Sequence, residues 1–245
     1  MNLVVDIGNT LVKVAVVEGV DIHQLEVVEE YTNQLQLTIK SMVDRYAIKS
    51  AIVCSTRGEQ REVINALEEM VDRVVVFNSD TAIPISINYL TPNTLGRDRV
   101  AAVVGAREVY GERDMLIIDC GTAITIDLYS VANGFEGGFI SPGVSMRLHV
   151  LNEQTATLPL CKVNQSWSEV EIARTTQEAI VGGVMRGIVY EIEGHIRTFE
   201  RKIDEISIIF IGGGAKYFDK QIKNAIFANR NLVMVGLNKI LLYNV

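Results

Sequence analysis

Two acidic residues each close an apolar run, and each is followed two positions later by a glycine. They stand in Asp6-Ile7-Gly8-Asn9-Thr10 and in Asp119-Cys120-Gly121-Thr122-Ala123. Glycine lets a backbone come close to a ligand, and the amides of such a turn can point at an anion. A carboxylate at the strand end can hold a hydrated Mg²⁺, which prefers one or two carboxylates together with phosphates. Lys13 interrupts the apolar run Leu11–Val17, so its ammonium must reach water or an anion. Two tips of this kind facing each other across a cleft would grip a triphosphate from both sides. Two tight hairpin turns with a solvated lysine would produce the same pattern, so spacing alone leaves both readings open.

Gly96-Arg97-Asp98-Arg99 precedes an apolar stretch of helical spacing. Asp98 can cap that helix, with Arg99 as its ion-pair partner. It can equally accept a hydroxyl proton during phosphoryl transfer. The transition state of that reaction is loose, so the base acts late and need not be strong. Arg99 suits a carboxylate, which it can meet with two parallel hydrogen bonds. Thr175-Thr176 stands before another helical pattern, as an N-cap or as a pair of hydroxyls for a polar ligand. Ile211-Gly212-Gly213-Gly214-Ala215 reads as a strand, a glycine turn and a helix start, which suits phosphates or ribose at a helix N-terminus. Neither G-x-x-x-x-G-K-[ST] nor G-x-G-x-x-G after a strand occurs.

The elements that must carry these residues can be read from periodicity. Residues 3–17 predict a β-hairpin with its tip at Gly8-Asn9-Thr10. Strands are predicted at 50–54 and 74–77, and helices at 60–71 and from about Asp98. The opening pattern then returns: setting Asp6 on Asp119 and Gly8 on Gly121 superimposes the two apolar runs without a gap, nearly half the chain apart. A short helix is expected at 169–173 and a longer one at 176–195, with Ala179, Ile180, Val184, Ile188 and Ile192 on one face. Gly182, Gly183 and Gly187 within it predict close packing against another element. A strand at 206–211 and a helix from Ala215 complete an α/β chain of two similar halves, 1–113 and 114–245.

The 245 residues carry 23 Lys+Arg against 30 Asp+Glu, a net charge of −7. That balance argues against nucleic acid or an anionic membrane as partner, since both need a basic face. Cys54, Cys120 and Cys161 are odd in number and far apart, and three scattered histidines add no metal-site spacing. No apolar run reaches the roughly 18 residues of a membrane span, and no basic segment precedes the first strand. A reducing cytoplasm is the expected setting.

Taken together, Asp6-Ile7-Gly8-Asn9-Thr10 with Lys13, Thr94-Leu95-Gly96-Arg97-Asp98-Arg99 and Asp119-Cys120-Gly121-Thr122-Ala123 resemble the type III pantothenate kinase family. Gly137-Gly138-Phe139-Ile140-Ser141-Pro142-Gly143, Leu158-Pro159, Thr175-Thr176 and Gly212-Gly213-Gly214 also fit, in order. The D-x-G-N-T hairpin alone marks only the wider acetate/sugar kinase, Hsp70 and actin superfamily. The resemblance implies two duplicated halves of the actin-like, ribonuclease H-like type, each a mixed β-sheet opening with a β-hairpin and flanked by helices. It implies phosphorylation of pantothenate by Mg²⁺·ATP, the first step of coenzyme A biosynthesis. By that pattern Asp6, Ile7, Gly8, Asn9, Thr10, Leu11, Val12 and Lys13 form the first phosphate loop, with Asp6 on Mg²⁺ through water. Thr122 contacts ATP from the second loop, and Asp119 binds a monovalent cation, K⁺ or NH₄⁺. Asp98 is the general base, and Tyr89, Gly96, Arg97, Asp98, Arg99, Thr175 and Thr176 line the pantothenate site. The family usually shows Asn-Thr where this chain has Thr175-Thr176. Its members are homodimers with the substrate pocket near the interface. Two other readings of the same fold are a non-catalytic regulatory relative and another small-alcohol kinase of the superfamily.

Overall fold

The structure is a computed structural model that describes residues 1–28, 33–58, 60–164, 166–228 and 231–245. Its strands are β1 (Asn2–Ile7), β2 (Val12–Glu18), β3 (Asp21–Val28), β4 (Ser50–Ser55), β5 (Arg73–Val76), β6 (Met115–Cys120), β7 (Ala123–Ser130), β8 (Gly134–Pro142), β9 (Ser207–Ile211) and β10 (Ala225–Phe227). Its α-helices are α1 (Asn33–Arg45), α2 (Arg61–Glu68), α3 (Arg97–Tyr110), α4 (Val144–Glu153), α5 (Thr176–Glu200) and α6 (Leu232–Tyr243). Two compact units emerge. One takes Met1–Arg113, Tyr129–Gly137 and Asn229–Val245; the other takes Asp114–Leu128 and Gly138–Ala228. Neither unit is a contiguous stretch of sequence, because the chain returns twice to the first.

In the first unit the sheet order is β3-β2-β1-β4-β5. β1 runs antiparallel to β2 and parallel to β4, which places Asp6 between Lys13 and Cys54 in register. Leu3, Val4, Val5 and Ile7 are all buried, so the central strand reads as a continuous apolar run instead of an alternating one. One face packs on α1 and α2 through Leu35, Ile39, Met42, Val63 and Leu67. The other carries α6, which also packs along α3. The middle of α3, Val100–Ala106, and most of α6 up to Leu241 are buried on nearly every side, and both stretches are correspondingly apolar. Their axes meet at glycines: a Cβ on Gly105 would stand 1.9 Å from the Leu232 carbonyl oxygen, and one on Gly236 would stand 1.8 Å from that of Ala101. Asn238 is fully buried on α6, donating to the Gly19 carbonyl at 2.9 Å and accepting from the Asn2 amide at 2.8 Å.

The second unit repeats the plan. Its sheet order is β10-β9-β6-β7-β8, so in both sheets the first strand is central, the second and third lie on one side, and the fourth and fifth on the other. β9 pairs parallel to β6 and to β10. This is the α/β fold of two duplicated halves that the repeated Asp-x-Gly hairpin predicts. Ile180, Val184, Ile188 and Ile192 of α5 face the core as their spacing requires, joined by the buried Trp167, whereas Ala179, expected on that face, is exposed at the start of the helix.

Three local expectations are corrected. Residues 169–173 form no helix; a single 3-10 turn at Trp167–Glu169 seats the tryptophan instead. Only a 3-10 turn, Ala215–Tyr217, follows the triple glycine. The glycines of α5 do not mark close packing: a Cβ on Gly182, Gly183 or Gly187 would have nothing within 4 Å among the described residues. Among those residues no helix is long and apolar enough to cross a membrane.

Candidate active site

In the first unit Asp6 ends β1 and is only 8 % exposed. Its Oδ1 is buried without a hydrogen-bond partner. Burial raises its pKa from 3.8 to about 6; Lys13 pulls the other way and Asp98 adds to the rise. Asp6 and Asp98 thus share one electrostatic neighbourhood, with Lys13 on the adjacent strand. An orphaned oxygen on an ionised, buried carboxylate costs free energy unless a cation or water meets it. The site therefore fits a hydrated Mg²⁺.

The turn beyond Asp6 closes with the Gly8 amide donating to the Leu11 carbonyl at 3.0 Å. Residues after β4, which sequence reasoning passed over, brace it. The Thr56 hydroxyl donates to the Ile7 carbonyl at 3.2 Å, and the Arg57 guanidinium donates to the Asn9 carbonyl. The signal was a polar Ser-Thr-Arg-Gly stretch at the C-terminal end of the parallel strand beside β1, where α/β folds place ligand contacts. Cys54, in register with Asp6, is fully buried; burial first, then Asp6 and Asp98, push its thiol well above the ordinary range. It is protonated at neutral pH and no nucleophile.

Asp98 lies inside the first turn of α3, whose N-cap is Gly96, so it is not the cap residue. Its Oδ1 nonetheless accepts the Arg99 amide at 2.9 Å, so part of the helix-start reading holds. Gly96 leaves room for that carboxylate: a Cβ there would meet Asp98 Oδ1 at 2.6 Å. Arg97 donates to the Pro92 carbonyl at 3.1 Å and lies 5.8 Å over the Phe77 ring. Arg99 is 6 % exposed and sits 5.6 Å over the ring of Phe135. Tyr89, half-buried, meets the same ring edge-on.

In the second unit Asp119 sits at the end of β6 against glycine backbone. A Cβ on Gly212, whose φ is +85°, would stand 2.3 Å from Asp119 Oδ1. The Gly214 amide donates to the Cys120 carbonyl at 2.9 Å. Gly212 and Gly214 thus serve close approach of the end of β9 to the end of β6, and the 3-10 turn after them has too few residues for a helix dipole. A carboxylate oxygen cradled by backbone is a suitable donor set for a monovalent cation. Burial, then Asp119, push the Cys120 thiol up to about 12. The Gly121 amide donates to the Ala123 carbonyl at 3.0 Å, and Gly143, the N-cap of α4, donates to the Thr122 carbonyl at 3.0 Å. A Cβ on Gly143 would stand 2.4 Å from that oxygen, which gives the Pro142-Gly143 motif its role as a brace for the second tip.

Thr175 is the N-cap of α5 in a complete capping box, its side chain accepting from the Glu178 amide. Thr176 is the first helical residue. Thr175, but not Thr176, lines a cavity of about 140 Å³ whose walls include Trp167, Gln177 and Val181.

The family model of type III pantothenate kinase matches residues 2–198. A type III pantothenate kinase from Bacteroides fragilis is 38 % identical over 244 residues, covering 100 % of this chain and 98 % of its own. Two solved structures share the fold. A Campylobacter jejuni protein described as a Baf family transcriptional activator is 21 % identical with a TM-score of 0.65, covering 99 % of this chain and 98 % of that one. A ROK hexokinase from Thermus thermophilus is 12 % identical with a TM-score of 0.52, covering 99 % and 98 %. The family match runs through both hairpin tips, the Gly96–Arg99 turn and the start of α5, and the chain belongs to the type III pantothenate kinase family.

Proposed function

We propose that this chain transfers the terminal phosphoryl group of Mg²⁺·ATP to the hydroxyl of pantothenate, giving 4'-phosphopantothenate, the first step of coenzyme A biosynthesis. The observation that carries the reading is the meeting of Asp6, Lys13 and Asp98 in one unit of a chain with full-length likeness to that family. Asp6 holds Mg²⁺ through water, and residues 6–13 with Thr122 hold the phosphates. Asp98 takes the hydroxyl proton as the phosphoryl group leaves ADP, a step that asks for placement more than basicity. Arg99 meets the pantothenate carboxylate, with Tyr89, Gly96, Arg97 and Thr176 around the rest of the molecule. Thr175 is spent largely on capping α5, which favours Thr176 as the contact.

Asp119 holds K⁺ or NH₄⁺ in its glycine cradle, where a monovalent cation offsets phosphate charge. The active form is a cytoplasmic homodimer. Exposed Phe139 and Ile140 on β8, Met146 and Val150 on α4, and Tyr190 on α5 are apolar surface that a second copy would cover.

The test is ADP release from Mg²⁺·ATP with and without pantothenate, in K⁺ and then in Na⁺. Release that needs pantothenate and rises with K⁺ is expected. Folded protein that releases no ADP in either buffer would return the chain to a regulatory relative or a kinase for another alcohol.

A further inference from the structure

Phe135 belongs to none of the motifs that mark the site, yet three features of the first unit converge on it. Its fully buried ring lies 5.6 Å from the Arg99 guanidinium. Tyr89 meets that ring edge-on, with centroids 6.1 Å apart and planes at 76°. The Phe135 backbone grips the segment that carries Tyr89: its N–H donates to the Ser86 carbonyl at 2.9 Å, and its carbonyl accepts from the Asn88 amide at 2.8 Å. The preceding glycine makes this fit possible: a Cβ on Gly134 would stand 2.2 Å from the Ser86 carbonyl oxygen.

A guanidinium recognises a carboxylate with two parallel hydrogen bonds only if its plane is fixed. An aromatic face beneath it supplies that constraint and adds cation–π attraction. We infer that Phe135 is a positioning residue for the acceptor: its ring sets Arg99, and through its backbone the Tyr89 segment, so that Arg99 meets the pantothenate carboxylate. This rests on the assignment of Arg99 in the proposed function.

Phe135→Leu and the unbranched, more adaptable Phe135→Met test it, each assayed with pantothenate and with pantothenyl alcohol, in which a hydroxymethyl group replaces the carboxylate. The KM for pantothenate is expected to rise on the order of 10-fold. The kcat, the KM for ATP and the KM for the alcohol should each move by less than about 2-fold. The variants therefore lose the preference for the acid over the alcohol. A preference that stays at the wild-type level, or an equal rise for both acceptors, overturns the role of Phe135. A wild-type enzyme that shows no preference overturns the Arg99 assignment instead. Thermal melts identify a variant that is merely unfolded, and Phe135→Met, which keeps most of the side-chain volume, then carries the test.

Discussion

The two hairpin tips share one sequence pattern and one place in their sheets, yet their carboxylates live in different surroundings. Asp6 is sealed between Lys13 and Cys54 and feels Asp98 from the start of α3. Asp119 leans on the backbone of Gly212 and Gly121. The first tip is built to hold charge against charge; the second is built to let backbone come close. The same scaffold stands twice, and the elements that follow it, α3 in one unit and the glycines after β9 in the other, give each carboxylate its surroundings.

The largest effect expected from breaking this asymmetry is at the base. Asp98→Asn should lower kcat by roughly 10²–10⁴-fold while calorimetry finds ATP binding nearly unchanged. A variant with near-normal kcat would remove the base from Asp98.

Asp6→Asn should lower turnover by less than Asp98→Asn does and yet stabilise the protein. The carboxyl titrates near 6 when folded and at 3.8 otherwise, so the folded state binds more protons between those values. Stability from this group is therefore full below pH 3.8 and lost as pH rises to about 6. Above that, the ionised buried carboxylate costs up to roughly 3 kcal/mol, and the amide escapes most of this cost. The variant should melt higher than wild type at pH 8, and the two should converge at pH 4. The same titration gives wild-type kcat/KM an acid limb near pH 6, because the protonated form no longer holds Mg²⁺.

Asp119→Asn should remove the stimulation by K⁺ and raise the KM for ATP by about 10-fold, one charge-assisted contact's worth. An unaltered K⁺ response would separate the cation from this tip. Gly212→Ala should lower stability by about 1–3 kcal/mol, since it combines a positive φ with a clash on the Asp119 carboxylate. Gly8→Ala, where the nearest contact is the Leu11 carbonyl at 3.2 Å, should cost less. Smallest of all, Arg57→Ala should weaken ATP binding by about 3-fold by loosening the first tip, because the exposed side chain holds one carbonyl. Fluorescence titration with an ATP analogue measures it.

Both hairpins, the strand–helix alternation and the Gly96–Arg99 turn were legible because each is local: apolar period, glycine spacing and β-branched runs are written in adjacent residues. Gly214 shows where such reading stops. A glycine turn after a strand suits a helix start, but the short distance to the Cys120 carbonyl is what demands glycine there. The open glycines of α5 teach the converse, since low helix propensity carries no information about which neighbour lies alongside.

The sequence by itself determined the duplicated plan and the acidic and glycine residues at each tip and at the start of α3, because those follow from local pattern and residue chemistry. Only the tertiary structure decided that Asp6 carries a raised pKa and an unpartnered oxygen, and that Arg57 braces the first tip. It also decided that Phe135, near the start of β8, lies beneath Arg99, and that the C-terminal helix returns to the first unit to seat α3. Each of these depends on residues far apart in the chain brought within a few ångströms, where burial and dielectric, not sequence neighbours, set the energy.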